Sequence, residues 1–127
     1  MKSDILIVDD EKDIRQLISG ILEDEGYETR LAWDLDSLKL ELVKRMPSLI
    51  LLDVWLETSS ADGIDILKII KKSYSNIPVI MISGHGTIDM AINAIRIGAY
   101  DFIEKPFDTN VLIMSINRAL ELSAIKK

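Results

Sequence analysis

Three short, almost entirely apolar segments set the strongest limit on how this chain can fold. They are Ile5–Val8, Leu49–Asp53 and Pro78–Ile82. A continuous apolar run of this length, without alternation, is typical of a strand buried on both faces of a parallel sheet. Two further segments, Glu28–Ala32 and Asp101–Ile103, have a weaker strand pattern, and the first is polar enough to indicate an edge strand. The chain therefore predicts a sheet of five strands.

Each of these strands is followed by a segment with apolar residues at helical spacing. Asp34, Thr87 and Asp108 are predicted to cap three of the helices, and Gly26 and Gly98 to end two of them. Alternating strands and helices predict an α/β fold: a doubly wound, flavodoxin-like parallel sheet with helices on both faces and the strand order 2-1-3-4-5. The apolar helix positions are Ile14, Leu17, Ile18, Ile21 and Leu22; Leu35, Leu38, Leu42 and Met46; Ile66, Leu67, Ile69, Ile70 and Tyr74; Ile88, Ala91, Ile92 and Ile95; and Leu112, Ile116, Ala119 and Leu120.

Size and composition limit the possible classes of function. With 127 residues, of which 48% are hydrophobic and 28% charged, the chain predicts one globular domain over residues 1–127. The net charge of -6 argues against direct binding of nucleic acid, because that binding depends on Lys and Arg. No apolar run approaches the roughly 18 residues that a membrane span needs. The lack of a secretory signal and of cysteine leads us to expect a cytoplasmic protein without disulfides or thiolate metal sites.

Polar side chains follow four of the predicted strands, at the point where each strand ends. They are Asp9 and Asp10, Asp53, Ser83 and Lys105. The carboxyl ends of parallel strands meet at one edge of the sheet, so these groups should share a crevice. Two carboxylates about 5 Å apart repel by about 3 kcal/mol at an effective dielectric constant of about 20, so the cluster needs a compensating cation, a bound proton or a functional purpose.

The chemistry of this set is specific. Hard carboxylate oxygens suit Mg²⁺, and an ammonium and a hydroxyl suit the oxygens of a phosphoryl group. Asp53 can act as a nucleophile toward phosphorus and form an aspartyl phosphate.

Four motifs carry a resemblance to a known family. They resemble the signature of the receiver (CheY-like) domain of two-component response regulators, and the resemblance covers essentially the whole chain. The motifs are Val8-Asp9-Asp10-Glu11, Leu51-Leu52-Asp53, Met81-Ile82-Ser83-Gly84 and Lys105-Pro106-Phe107. The segments after Asp53 and over Gly98–Asp108 are similar to receivers of the NtrC group, and most like the NtrX type. In that group the receiver precedes an ATPase domain and a helix-turn-helix DNA-binding domain, so the resemblance implies regulation of output domains that lie outside this chain.

The resemblance implies a phosphotransfer site. Asp53 would accept a phosphoryl group from a phosphohistidine of a sensor histidine kinase. Asp10 would bind Mg²⁺ directly, Asp9 would act on it largely through water, and the backbone carbonyl of Trp55 would be the third protein ligand. Lys105 would form an ion pair with the phosphoryl group. The domain would slowly hydrolyse its own phosphoryl group and would not act as an enzyme on external substrates.

The resemblance also implies a conformational switch. Ser83 would supply the hydroxyl that contacts the phosphoryl group, and Phe102 would occupy the aromatic switch position. The face made by the fourth helix, the fifth strand and the fifth helix would carry the output and a homodimer contact. A cis peptide bond is implied between Lys105 and Pro106. The chain departs from the family in one place: the segment from Asp53 to Gly63 is about two residues longer than is common and lacks proline.

Other interpretations remain open from the sequence. Asp9 and Asp10 could simply be helix caps, and Lys105 could be an ordinary surface lysine. Phe102 could belong to the core, and His85 is expected to be an exposed loop residue. A phosphatase with an aspartyl nucleophile is disfavoured. Such enzymes have an Asp-x-Asp motif at the nucleophile, and in this chain Trp55 occupies the position of the second Asp. A flavin mononucleotide binder is disfavoured because Asp-Asp-Glu in the first loop would repel a phosphate. A receiver-like module that signals without phosphate is the third alternative.

Overall fold

Five strands alternate with five helices in the computed structural model, which describes residues 3–54, 62–84 and 86–125. All predicted strands and helices are present, so the α/β interpretation of the sequence is confirmed. The elements are β1 (Asp4–Val8), α1 (Lys12–Asp24), β2 (Glu28–Ala32), α2 (Leu35–Lys44), β3 (Leu49–Asp53), α3 (Gly63–Ser73), β4 (Val79–Ser83), α4 (Ile88–Ile97), β5 (Asp101–Glu104) and α5 (Thr109–Ile125).

The sheet has the predicted order β2-β1-β3-β4-β5, and all of its neighbouring strands pair in parallel. The chain therefore reverses its winding direction between β1 and β3, where ligands bind in folds of this kind. The register aligns Val8 with Leu52, Asp53 with Ile82, and Ser83 with Glu104. The strands consequently end together at one edge of the sheet.

The strands alternate their side chains between two hydrophobic clusters, one on each face of the sheet. In β1, Leu6 and Val8 belong to one cluster, and Ile5 and Ile7 belong to the other. The first cluster includes side chains of α2, α3 and α4, and the second includes side chains of α1 and α5. Both faces are covered, which explains why β1, β3 and β4 have uninterrupted apolar sequences.

The helix ends follow the predicted capping residues. The side chains of Asp34, Thr87 and Asp108 accept hydrogen bonds from backbone N–H groups in the first turns of α2, α4 and α5. Gly98 follows α4 with a φ of 131°, and Gly26 lies two residues beyond α1 with a φ of 90°. This left-handed backbone is readily adopted by glycine, which makes glycine an effective helix stop.

Some of the predicted apolar helix positions are wrong, and α4 is the clearest case. Ile88, Ile92 and Ile95 are 79%, 47% and 47% exposed, whereas the helix packs through Met90, Ala94 and Ile97. Nearly every position of α4 is apolar, so helical spacing alone allows two different stripes. Three predicted positions on other helices are also exposed: Leu17, Met46 and Ile69. Met46 lies beyond the end of α2, which stops at Lys44 rather than at Pro47.

Two smaller observations complete the fold. The peptide bond between Lys105 and Pro106 is cis, as the resemblance implied. Among the helices described, none combines the length and the apolar composition that a membrane span requires.

Candidate functional site

Three carboxylates meet at the carboxyl edge of the sheet. Asp9 and Asp10 directly follow β1, and Asp53 is the last residue of β3. One carboxylate oxygen from each lies within 4.8 Å of the others. Asp9 and Asp53 are buried, while Asp10 is partly exposed. These three oxygens could hold one divalent cation, since hard carboxylate oxygens are the protein ligands that Mg²⁺ prefers.

Lys105 brings a positive charge into this cluster from the end of β5. Its Nζ donates a hydrogen bond to Oδ2 of Asp9 at 2.9 Å and lies 3.6 Å from Oδ1 of Asp53. Burial by itself would lower the pKa of the Lys105 ammonium, but the hydrogen bond to Asp9 and the charges of Asp53, Asp9 and Glu11 outweigh it, so the pKa is raised. The ammonium is therefore a fixed positive charge at neutral pH.

Both carboxylate oxygens of Asp9 have protein partners. Oδ1 accepts the backbone N–H of Glu11 at 2.9 Å, and Oδ2 accepts from Lys105. Glu11 is the N-cap residue of α1, and its own side chain makes no capping hydrogen bond. Asp9 thus holds the turn after β1 and the ammonium at the same time, instead of capping a helix.

Ser83 joins the site from the end of β4. It is fully buried, and its carbonyl accepts the backbone N–H of Lys105 at 2.7 Å, so the two residues lie on neighbouring strand ends. Phe102 lies in β5 and is partly buried, and it packs against the cluster that contains Ala94 of α4. The structure therefore places Ser83 beside Lys105, at the edge of the sheet that carries the three acids. It places Phe102 on the α4 side of the sheet.

The end of β3 is held by a close backbone approach that the sequence interpretation missed. The N–H of Gly63, the first residue of α3, donates to the carbonyl of Val54 at 2.7 Å. A Cβ at position 63 would lie only 2.3 Å from the carbonyl oxygen of Asp53 and 2.5 Å from Cα of Val54. Glycine is the residue that allows this approach, which fixes the backbone that carries Asp53. The Asp62-Gly63 pair signalled the end of the loop but not this contact.

Arg15 is a second cation near the acids that sequence reasoning missed. Its Nη1 donates to the backbone carbonyl of Asp9 at 2.7 Å, and its guanidinium carbon lies 5.7 Å from the centre of the Trp33 ring. Together with Asp10 and Asp34 they line an open cleft of about 550 Å³. Its position one turn into α1 was the only available signal. Two residues of the sequence interpretation, Trp55 and His85, lie outside the described residues.

Comparison with known proteins decides the family. The family model described as "Response regulator receiver domain" matches residues 5–117. The chain belongs to that family. The receiver domain is 53% identical over 127 residues to the nitrogen assimilation regulatory protein NtrX of Azorhizobium caulinodans, covering 100% of this chain and 28% of that protein. It therefore spans about a quarter of the length of this curated relative.

Solved structures agree with this assignment. The crystal structure of the receiver domain of NtrX from Brucella abortus is 57% identical, with a TM-score of 0.89, and the match covers 93% of this chain and 98% of that one. The solution structure of the beryllofluoride-activated NtrC4 receiver domain dimer is 38% identical, with a TM-score of 0.87, over 94% of this chain and 98% of that one. The domain is thus a receiver of the NtrX and NtrC type. Response regulators of this family partner with sensor histidine kinases, and receivers generally have an acidic metal pocket like the Asp cluster described above.

Proposed function

We propose that Asp53 is the phosphoacceptor of this receiver domain and takes its phosphoryl group from the phosphohistidine of a sensor histidine kinase. The observation that carries the proposal is the convergence of the Asp53 carboxylate with the Lys105 ammonium and with two further carboxylates at one strand edge. An isolated buried cluster of acids would be costly. Such a cluster beside a fixed ammonium suits a reaction that brings additional anionic oxygens into the pocket.

The transfer follows from the groups present. A carboxylate oxygen of Asp53 attacks phosphorus, the bond between phosphorus and the histidine nitrogen breaks, and the electron pair returns to the imidazole. Negative charge then spreads over the phosphoryl oxygens. Lys105 lies 3.6 Å from Oδ1 of Asp53, so its ammonium can stabilise that charge after a small shift away from Asp9. The Ser83 hydroxyl is the second protein group within the same strand edge that can contact those oxygens.

The donor set fits Mg²⁺. Asp10 is the most accessible of the three acids and is proposed as a direct ligand, together with Asp53. Both oxygens of Asp9 already accept hydrogen bonds, which supports an indirect role through water. The proposed third ligand, the carbonyl of Trp55, lies outside the described residues. When bound, the ion would neutralise charge on the acids and on the phosphoryl oxygens.

The output is proposed to pass through the face made by α4, β5 and α5. Ser83 moves toward the phosphoryl group, and Phe102 responds as the aromatic switch. Two apolar stripes on this face support an interface with a second copy of the domain. The exposed side chains are Ile88, Ile92 and Ile95 of α4 and Val111, Met114 and Leu122 of α5. Their spacing places each set along one side of its helix.

The remaining parts of the proposal concern the whole protein. Residues 1–127 form one receiver domain that regulates output domains elsewhere in the protein, in the cytoplasm where the kinase phosphorylates it. The domain hydrolyses only its own phosphoryl group and does not itself bind nucleic acid. Its net charge of -6 supports that last point.

Intact-mass analysis tests the central step. The domain is incubated with acetyl phosphate and Mg²⁺, and the expected product carries one added phosphoryl group of about 80 Da. Asp53→Ala should abolish the gain, while Asp13→Ala, which changes an exposed acid of α1, should keep it. No gain in the unsubstituted domain would refute the proposal and favour a module that signals without phosphate. A gain that survives Asp53→Ala would also refute it, because another residue would then carry the phosphoryl group.

A further inference from the structure

Gly86 lies in the loop between β4 and α4, and nothing in its backbone requires glycine. Among the described residues, the glycines with a left-handed φ are Gly26 and Gly98. What position 86 requires is space. A Cβ there would lie 2.7 Å from both Cε1 and Cζ of the Phe102 ring, which is closer than real Cβ contacts come. The ring therefore occupies the volume that a side chain at position 86 would need.

The same missing Cβ connects the ring to the site. It would lie 3.3 Å from Cβ of Ser83, so Gly86 borders both the Phe102 ring and the buried hydroxyl residue. Ser83 and Gly86 belong to one short segment that ends at the N-cap of α4, Thr87. Position 86 therefore lies between Ser83 and the Phe102 ring.

We infer that Gly86 is a positioning residue for Phe102: its lack of a side chain seats the aromatic ring in the resting domain, and its contact with Ser83 couples that seat to the site. The coupling rests on the proposed function, because it assumes that Ser83 responds to a phosphoryl group on Asp53. The seating of the ring does not depend on it. A side chain at position 86 displaces the ring and so biases the α4 face without any phosphoryl group.

The same loop contains a matched control. A Cβ at Gly84 would meet Cβ and Cδ of Lys105 at 3.9 Å, which is an ordinary contact. Gly84→Ala and Gly86→Ala therefore make the same chemical change two residues apart, with the same loss of backbone freedom in the unfolded chain. The two variants differ in whether the Phe102 ring must move.

Fluorine NMR of the domain labelled with 4-fluorophenylalanine measures the ring directly. The chain has two phenylalanines, so Phe107 serves as the internal reference, and Phe107→Leu assigns the two resonances. In the domain without phosphoryl donor, Gly86→Ala should shift the Phe102 resonance, while Gly84→Ala should leave it in place. An unshifted resonance in Gly86→Ala, or equal shifts in both variants, would overturn the inference.

Urea unfolding distinguishes a clash with the Phe102 ring from a loss of stability that does not involve the ring. With Phe102 present, Gly86→Ala should lower the urea concentration at the midpoint of unfolding. This decrease should largely vanish when Phe102→Leu is also present, because the smaller leucine side chain leaves room for the added methyl group. If Gly86→Ala alone does not fold, recovery of folding in the double variant supports the inference. A double variant that is as unstable as Gly86→Ala alone would overturn it.

Acetyl phosphate and Mg²⁺ test the coupling. In the unsubstituted domain the Phe102 resonance should move when the mass gain appears, and in Gly86→Ala, where the ring starts displaced, it should move less. A mass gain without any movement of the resonance in the unsubstituted domain would overturn the coupling. A missing mass gain would refute the proposed function and leave the steric result to be judged by the first two measurements.

Discussion

The Nζ of Lys105 donates its hydrogen bond to Asp9, at 2.9 Å, rather than to Asp53, from which it is 3.6 Å away. The ammonium is therefore hydrogen-bonded to Asp9 and not to Asp53, the acid that we propose accepts phosphorus. Asp53 has the same ammonium nearby, at the longer distance. This arrangement keeps the cation close to where charge would develop on a phosphoryl group bound to Asp53.

Removal of the Asp53 charge should stabilise the metal-free domain. Among the described residues, Asp9 and Asp10 repel the Asp53 carboxylate and Lys105 attracts it. At carboxylate distances of about 4 to 5 Å, an ammonium distance of 3.6 Å and an effective dielectric constant of about 20, the repulsions exceed the attraction by about 2 to 4 kcal/mol. We expect Asp53→Asn to raise the free energy of unfolding by that amount in urea titrations with a chelator, and saturating Mg²⁺ to remove the gain. A destabilised Asp53→Asn variant in chelator would contradict the charge balance described here.

Replacement of Lys105 should destabilise the domain, in a way that depends on pH. The pKa of Lys105 is raised above 10.5, so the ion pairs contribute fully below pH 10.5 and are lost as the pH rises through the folded-state pKa. We expect Lys105→Gln to lose about 1 to 3 kcal/mol of unfolding free energy at pH 7, with the difference from the unsubstituted domain shrinking only above pH 10.5. Urea titrations across this range check it. Lys68→Gln, at an exposed position of α3, is the control and should change the unfolding free energy by less than about 0.5 kcal/mol at pH 7.

Gly63→Ala should weaken both stability and phosphorylation. The added Cβ would collide with the backbone of Asp53 and Val54, and neither backbone can move without shifting the end of β3. We expect a loss of more than about 2 kcal/mol in unfolding free energy and slower gain of mass from acetyl phosphate. Gly20→Ala provides the contrast: position 20 lies in α1 with open space around it, so alanine should stabilise the domain by up to about 1 kcal/mol. Equal effects of the two substitutions would show that the close contact at position 63 is unimportant.

Asp4 should be important for stability and irrelevant for phosphorylation. It lies at the opposite, amino edge of the sheet, where Arg30 and Arg45 donate to its carboxylate at 3.1 and 3.0 Å. Loss of one partner from a buried ion pair costs about 3 kcal/mol, so Asp4→Ala should lower the unfolding free energy by that amount. Under conditions in which the variant is folded, its rate of phosphorylation should be unchanged. Asp24→Ala, at an exposed site, should change stability by less than about 0.5 kcal/mol. A slower phosphorylation in folded Asp4→Ala would mean that the two edges are coupled.

The proposed dimer face can be separated from other exposed apolar side chains. Ile92 on α4 is 47% exposed and Leu40 on α2 is 65% exposed. Both helices cover the same face of the sheet, but α2 contacts β2 and α4 contacts β5, the strands at its two ends. With acetyl phosphate and Mg²⁺, sedimentation velocity should detect a dimer that Ile92→Glu abolishes and Leu40→Glu retains. Mass analysis of both variants should still find the phosphoryl group on Asp53. Loss of the dimer only in Leu40→Glu would move the interface to α2.

The sequence predicted the fold well because strand and helix patterns agreed at every level. Continuous apolar runs such as those of β1 and β3 occur in strands covered on both faces, and right-handed βα units put helices on both faces of the sheet. The strand order 2-1-3-4-5 is one of the two common orders of such doubly wound sheets. The packed side of α4 could not be predicted. Its sequence offers one stripe through Ile88 and Ile95 and another through Met90 and Ala94, and only packing against the sheet chooses between them.

The candidate site was predictable only in part for a similar reason. The positions of Asp53 and Lys105 at strand ends predicted that the two residues would lie close together. They did not predict that the Lys105 ammonium would hydrogen-bond to Asp9. The contacts of Gly63 and Gly86 depend on backbone and ring positions from distant parts of the chain. Arg15 carries no motif, and its hydrogen bond to a backbone carbonyl leaves no trace in sequence.

The hydrogen bond between Lys105 and Asp9 joins residues that are 96 positions apart. During synthesis, Asp9, Asp10 and Asp53 leave the ribosome long before Lys105, whose ammonium lies beside them in the folded sheet. A fragment that ends before β5 would therefore hold an uncompensated cluster of negative charge, and it should depend on a bound divalent cation to stay folded. Synthesis of β5 thus adds the outer strand of the sheet and, directly after it, the Lys105 ammonium that offsets part of the negative charge of the cluster.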